Sequence, residues 1–223
     1  NDIYLIRGNH EFRDMNDHYG FKEECYKRVV TNIDGKTLYG GVKFYEKVTD
    51  SFKYLPICAI LNEKTFCVHG GITGLVNDIN ELMNIEKVGV KFTYNDSIQA
   101  ELLWNDPDPE VDTFKKGPRG IGCLFGPFAL NDFLEKMEFQ NVIRAHQNEM
   151  NGYNYVFGEN GGIITIFSSI DYCGTSNEGA VAVVTMMELF IHLKLNQMIK
   201  LLYQKKYLKI TYHFWMMYYI TQI

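Results

Sequence analysis

The chain has 223 residues, 46% of them hydrophobic and 22% charged, which suits one large globular domain with a sizeable core. A net charge of −5, with no dense Lys/Arg block, excludes a nucleic-acid footprint. Five widely spaced cysteines without a CxxC pair exclude a cysteine-based zinc site and suit a reducing compartment, cytoplasmic or nuclear; no signal-peptide pattern is visible.

In chain order, residues 3–6 (Ile-Tyr-Leu-Ile) predict a strand. Residues 19–30 place apolar side chains near helical spacing, with Glu23 four before Lys27, and predict an amphipathic helix. Asp34-Gly35 and Gly40-Gly41 make residues 32–41 turn chemistry, and a second helix over 43–52 ends before Pro56. Residues 57–61 and 65–68 alternate around Asn62-Glu63-Lys64, which predicts a hairpin. A weak helix and then loop occupy 74–95. Residues 121–125 predict a strand, and Pro127 opens a helix to about Met137, a first position that suits proline. Residues 153–157, 163–167, 180–185 and 189–195 are strand-like between Gly or Asn turns. Short strands mixed with helices, not in strict alternation, predict a layered α/β fold.

Four polar clusters follow apolar runs: Arg7-Gly8-Asn9-His10-Glu11, His69-Gly70-Gly71, Arg144-Ala145-His146, and residues 168–174 (Ser-Ser-Ile-Asp-Tyr-Cys-Gly). Loops on the ends of rigid strands are where α/β proteins gather catalytic groups. An Asn and two histidines delivered in this way can converge on one metal ion while a third histidine moves protons. Each residue alone has a plainer reading. Asn9 suits a turn, His69 a hydrogen-bonded strand end, Arg119 a solvated loop and Tyr172 a core. Their co-occurrence, with Leu102-Leu103-Trp104-Asn105-Asp106-Pro107 lying between, argues otherwise; His18, His192 and His213 lack such a context. In this order the motifs resemble the phosphoprotein phosphatase family of serine/threonine phosphatases, whose LLWSDP has Asn105 in place of serine here.

The resemblance implies a metallophosphoesterase (calcineurin-like) β-sandwich flanked by helices. It implies hydrolysis of phosphoserine and phosphothreonine in proteins by a two-metal, bridging-hydroxide mechanism with Mn, Fe or Zn. Asn9, His69 and His146 would be ligands of the second metal, and His10 would protonate the departing oxygen. Arg119 would grip phosphate oxygens with its forked donors. Tyr172 would line the substrate groove, with a lesser role for Asp106. The implied partners are phosphoprotein substrates and regulatory subunits, with no nucleic acid and no membrane span.

Two departures from the family stand out. Asp171 replaces an asparagine, and Ser169-Ile170 replaces Ala-Pro, which adds negative charge beside an anion site. The family's upstream motifs GDxHG and GDxxDRG do not occur in the 223 residues. Residues 1–195 are therefore expected to form the C-terminal part of a catalytic domain, incomplete at its N-terminus and without the first-metal ligands. Such a chain in isolation is expected to be poorly soluble, to hold fewer than two metal ions by elemental analysis, and to turn over no aryl phosphate.

Residues 196–223 read as a separate basic, aromatic-rich tail. After Glu188 there is no Asp, Glu, Gly or Pro, and the 14 uncharged residues 210–223 fall short of the roughly 20 that span a bilayer. An amphipathic docking helix, a basic membrane-surface helix and translated non-coding sequence all fit. Two other function classes remain. A phosphoesterase for nucleotides or phosphodiesters is disfavoured, because its GHxH is absent and Gln147-Asn148-Glu149 follows His146. The alternative is a catalytically dead phosphatase-like fragment acting as a binding module.

Overall fold

The computed structural model describes residues 3–27, 29–31, 34–86, 89, 97–184 and 190–194, so the expected tail at 196–223 lies outside the described residues. In chain order the elements are α1 (Arg13–His18), α2 (Phe21–Lys27), β1 (Val29–Thr31), β2 (Thr37–Gly40), α3 (Gly41–Phe52), β3 (Cys58–Leu61), β4 (Thr65–Val68) and α4 (Ile79–Met83). Then come α5 (Ile98–Trp104), β5 (Asp106–Pro107), β6 (Phe114–Lys116), β7 (Cys123–Phe125), α6 (Pro127–Met137), β8 (Asn141–Arg144), β9 (Tyr153–Asn154) and β10 (Ile163–Ile166). A 3-10 turn at Tyr172–Gly174 precedes β11 (Ala180–Val184) and β12 (Phe190–Lys194).

The main sheet has the order β3-β4-β8-β10-β9. Its three central strands are parallel neighbours: β4 pairs with β8 through Phe66↔Val142, and β8 with β10 through Ile143↔Ile164. Both outer strands run antiparallel to their neighbours. Apolar side chains alternate between two cores. Phe66, Val68, Val142 and Ile163 face Leu102 and Leu103 of α5 and Leu130, Phe133 and Met137 of α6. Cys67, Ile143, Ile164 and Ile166 face the other way, towards Ala182 and Val184 of β11. Strands covered on both faces need apolar residues at nearly every position, and β4 and β10 are buried throughout.

Local chemistry sets the element ends. Pro127 occupies the first turn of α6, where its missing N–H costs no hydrogen bond, and Glu138 in left-handed backbone closes the helix. The Ser97 hydroxyl accepts from the Ala100 N–H at 3.2 Å and starts α5.

Several expectations need correction. Residues 3–6 form no ladder strand, and Ile3 and Tyr4 are 67% and 58% exposed. The Arg7 N–H, just after this segment, donates to the Pro56 carbonyl at 2.8 Å, shortly before β3. The helix expected over 19–30 stops at Lys27, because the β-branched run of β1 prefers a strand, and β2 then occupies part of the predicted loop. The predicted strand at 153–157 shrinks to Tyr153–Asn154. Helices α1 and α5 and the exposed strand β6 were not foreseen. Among the described residues no helix is long and apolar enough to cross a membrane.

Phe66 shows how the helices are fixed to the sheet. Its fully buried ring stacks on Phe139 at 5.6 Å and tilts against Phe133 at 5.3 Å. Phe66→Ala is expected to destabilise the fold by about 3–5 kcal/mol. Urea titration reads this as a lowered midpoint with an unchanged slope.

Candidate active site

Because β4, β8 and β10 are parallel neighbours, their carboxyl ends lie along one edge of the sheet, where open α/β sheets bind ligands. His69 follows β4, His146 stands two residues beyond β8, and the loop with Tyr172 follows β10. The Ala145 N–H donates to the His69 carbonyl at 3.0 Å, which extends the strand register into the two histidine loops. Asn9 and His10 come from a separate tight turn. In that turn the Glu11 carboxylate accepts the Gly8 N–H at 2.6 Å, and Arg7, packed over the Phe12 ring, donates to the Glu11 carbonyl at 2.8 Å.

Two glycines permit this approach. A Cβ on Gly8 would lie 2.6 Å from Glu11 Oε2 and 3.0 Å from His69 Nδ1. A Cβ on Gly70 would lie 2.4 Å from the Leu103 backbone of α5, so no side chain fits beside His69.

Asn9, His69 and His146 meet directly. His69 Nε2 lies 2.8 Å from Asn9 Oδ1 and 3.1 Å from His146 Nδ1. Asn9 and His69 are buried, and His146 adopts a left-handed φ of 63°, an uncommon backbone for a non-glycine residue. Burial first, then the charges of Arg144, His10 and Arg119, pushes His69 down to about 3. Burial, with His69 and the two arginines, holds His146 well below its ordinary value. Both rings are therefore neutral at pH 7. Because Asn9 Oδ1 can only accept, its contact with His69 Nε2 is a hydrogen bond in the tautomer that carries the proton on that nitrogen. Among the described residues the His146 Nε2 atom is left buried without a partner, and the ring packs edge to face on Trp104 at 5.5 Å. Two neutral imidazoles and an amide oxygen converging on one edge form a donor set that a borderline metal cation fits. Among the described residues no group of three His, Cys, Asp or Glu side chains is placed to hold a metal ion, so the donor set here is two histidines and an amide oxygen.

His10 packs its ring on Tyr19 at 4.7 Å, and burial followed by Arg119 pushes it down to about 4. Arg119 Nε donates to Asp106 Oδ2 at 2.7 Å. Its positive charge disfavours the cations of His10, His69 and His146 and acts to lower Tyr172. Tyr172 is half-buried, with its ring edge to face on Phe167 at 5.2 Å. Asp171, in left-handed backbone, accepts the Ser176 N–H at 3.0 Å, so part of its charge is used to fold its own loop. Asn105, which stands where the resemblance expects serine, donates to the Ile72 carbonyl at 2.8 Å and accepts the Cys123 N–H, joining the His69 loop to β7.

Sequence reasoning passed over two residues that organise this edge. Arg144 is fully buried and donates to Asp106 Oδ1 at 2.7 Å. Asn177 is buried behind the Tyr172 loop, accepting the Tyr172 N–H at 2.7 Å and donating to the Ser169 carbonyl at 2.7 Å. Arg144 stood inside a motif already singled out, whereas only its complete burial marks it as structural. Asn177 lay three residues past the last motif with no pattern to flag it.

A family profile for calcineurin-like phosphoesterases matches residues 1–150. The chain is a calcineurin-like phosphoesterase of the phosphoprotein phosphatase branch. The catalytic subunit of serine/threonine-protein phosphatase 4 from Kluyveromyces lactis is 39% identical over 171 residues, covering 77% of this chain and 51% of that protein. Its counterpart in Saccharomyces cerevisiae is 36% identical over the same length, with the same coverage of both chains. A solved S. cerevisiae serine/threonine phosphatase with similarity to human phosphatase PP5 superposes with a TM-score of 0.71 at 27% identity, covering 87% of this chain and 60% of that one. The phosphoesterase thus spans about half the length of the curated relatives it matches.

Three neutral histidines give the metal-free phosphoesterase a definite pH response. Their folded values lie below 6.5, so the unfolded chain binds more protons as the pH falls. Stability is complete above about 6.5 and is lost progressively down to about 3. Glu11, raised by burial to about 7, and Glu149, also raised by burial, act in the opposite sense but are outnumbered. The urea midpoint should therefore fall between pH 7 and 5. His69→Gln should flatten that slope by up to roughly 1.4 kcal/mol per pH unit.

Proposed function

We propose that the phosphoesterase hydrolyses phosphoserine and phosphothreonine in proteins, as part of a phosphatase catalytic subunit. The observation that carries this reading is the meeting of Asn9 Oδ1, His69 Nε2 and His146 Nδ1 beside Arg119, at the carboxyl edge of the parallel strands. The substrate class is that of the serine/threonine phosphatases the chain resembles.

In this reading Asn9, His69 and His146 hold one ion of a pair, with Mn, Fe and Zn all suited to mixed N/O donors. When bound, the pair supplies a water acidified to near neutral pH and neutralises charge on the phosphoryl group. The rest falls to the chain. Arg119, braced by Asp106, turns its remaining guanidinium donors towards the phosphoryl oxygens and fixes the group for in-line attack. Tyr172 lines the groove that receives the peptide.

His10 donates a proton to the departing serine or threonine oxygen. Burial and then Arg119 disfavour its cation and hold it neutral, at about 4. An arriving phosphate dianion supplies the negative charge that raises it towards the range where an acid is useful. Regulatory subunits, and a cytoplasmic or nuclear location consistent with five free cysteines, belong to the same proposal.

The protein purified from its native source should release phosphate from phosphoserine and phosphothreonine peptides when Mn2+ is added. His10→Ala should reduce kcat by about 10²–10⁴-fold with little change in KM. Arg119→Ala should raise KM and the inhibition constant for inorganic phosphate together, by about 10–100-fold. No hydrolysis by the wild-type protein, with phosphopeptide binding retained, would instead establish a binding module.

A further inference from the structure

Resting on that reading of the site, we propose that Arg144 is a positioning residue that sets the metal donors and the phosphate-gripping arginine in one register. Its side chain has no exposure, so it touches no substrate. What it touches instead is each loop that matters. Its Nε donates to the carbonyl of Gly70, the residue after His69. Its Nη1 donates to Gln147 Oε1 at 2.6 Å, on the residue after His146. Its Nη2 donates to the Asn105 carbonyl at 3.2 Å and to Asp106 Oδ1 at 2.7 Å. Asp106 passes the constraint on, because its second oxygen accepts Arg119 Nε at 2.7 Å.

One planar cation therefore links the loop after β4, the strand end at β5 and the loop after β8, and through a shared carboxylate it fixes Arg119. The fork matters, not only the charge. A lysine ammonium presents three donors from a single point and cannot reach Gly70, Gln147 and Asp106 along three directions at once. Burying the ion pair is a poor route to stability alone, since a well-packed apolar replacement is often equally stable. What the pair does provide is geometry: the spacing between His69 and His146, and the position of Arg119, both follow from one group.

Three measurements on the full chain test this, with Arg144→Lys, Asp106→Asn and Arg119→Ala as variants. The first needs no ligand. Amide hydrogen exchange in Arg144→Lys should rise together at 69–71, 105–106 and 145–147, while the rest of the main sheet keeps its protection. The second uses Co2+ as the probe. Arg144→Lys should weaken its affinity at least tenfold and alter the visible absorption that reports donor geometry, whereas Arg119→Ala, which removes a positive charge acting on the same histidines, should not weaken the affinity and should leave the absorption unchanged. The third is inorganic phosphate affinity. Arg144→Lys, Asp106→Asn and Arg119→Ala should each weaken it, and the first two together should weaken it less than the product of their separate effects.

A variant Arg144→Lys that melts at a lower temperature yet binds Co2+ and phosphate as wild type does would overturn the proposal. So would exchange that rises only at 145–147. A wild-type chain that binds neither Co2+ nor phosphate would sink the proposed function instead, and the exchange pattern would still decide the role of Arg144.

Discussion

Parallel pairing of β4 with β8 and of β8 with β10 is the constraint from which the site follows. A parallel ladder sets all its strand ends facing the same way, so whatever comes after each strand collects at one edge. Had any of the three run antiparallel, His69, His146 and the Tyr172 loop would be divided between opposite ends of the sheet. Parallel strands in turn demand cover on both faces, which explains why aromatic packing of α6 on one side and β11 on the other belongs to the same design. The hairpin β3–β4 adds an antiparallel edge that does not alter this direction.

The parts legible in the sequence were those whose cause is local. The hairpin around Asn62-Glu63-Lys64 and helix α6 after Pro127 follow from turn residues and a fixed proline φ, and both occur where expected. The motif loops at Asn9, His69 and His146 were legible as positions, and Asn9 Oδ1 and His146 Nδ1 both lie within 3.1 Å of His69 Nε2. What local chemistry could not give was pairing. Residues 3–6 have the composition of a strand, but a strand exists only through ladder pairing, and they are not assigned to one. Helix α5 was hidden inside a motif, since Leu102, Leu103 and Trp104 read as a signature before they read as a buried helical face. Arg144 and Asn177 act through hydrogen bonds that span the tertiary fold, and residue type alone does not reveal them.

The electrostatics of the site follow from its neighbours. Buried Arg144 and the more exposed Arg119 both disfavour the cations of His69 and His146, whose own burial is the larger cause. Each ring answers by staying neutral, which leaves lone pairs for a cation and an electropositive wall for an anion. Asp106 is the counterweight: with both its oxygens held by guanidinium groups, it neutralises part of that charge without reaching the histidine cluster itself. The negative charge of Asp171 is likewise drawn inward to the Ser176 amide.

The contact between Asn9 Oδ1 and His69 Nε2 has one more consequence. As a hydrogen bond it needs a proton on His69 Nε2, because the amide oxygen can only accept. A cation seated against the same edge would need that nitrogen's lone pair instead. The neutral ring would then carry its proton on Nδ1, which lies on the Gly8 side where the Glu11 carboxylate also sits. Occupation of the edge would thus be written in the tautomer of one ring, not in its charge.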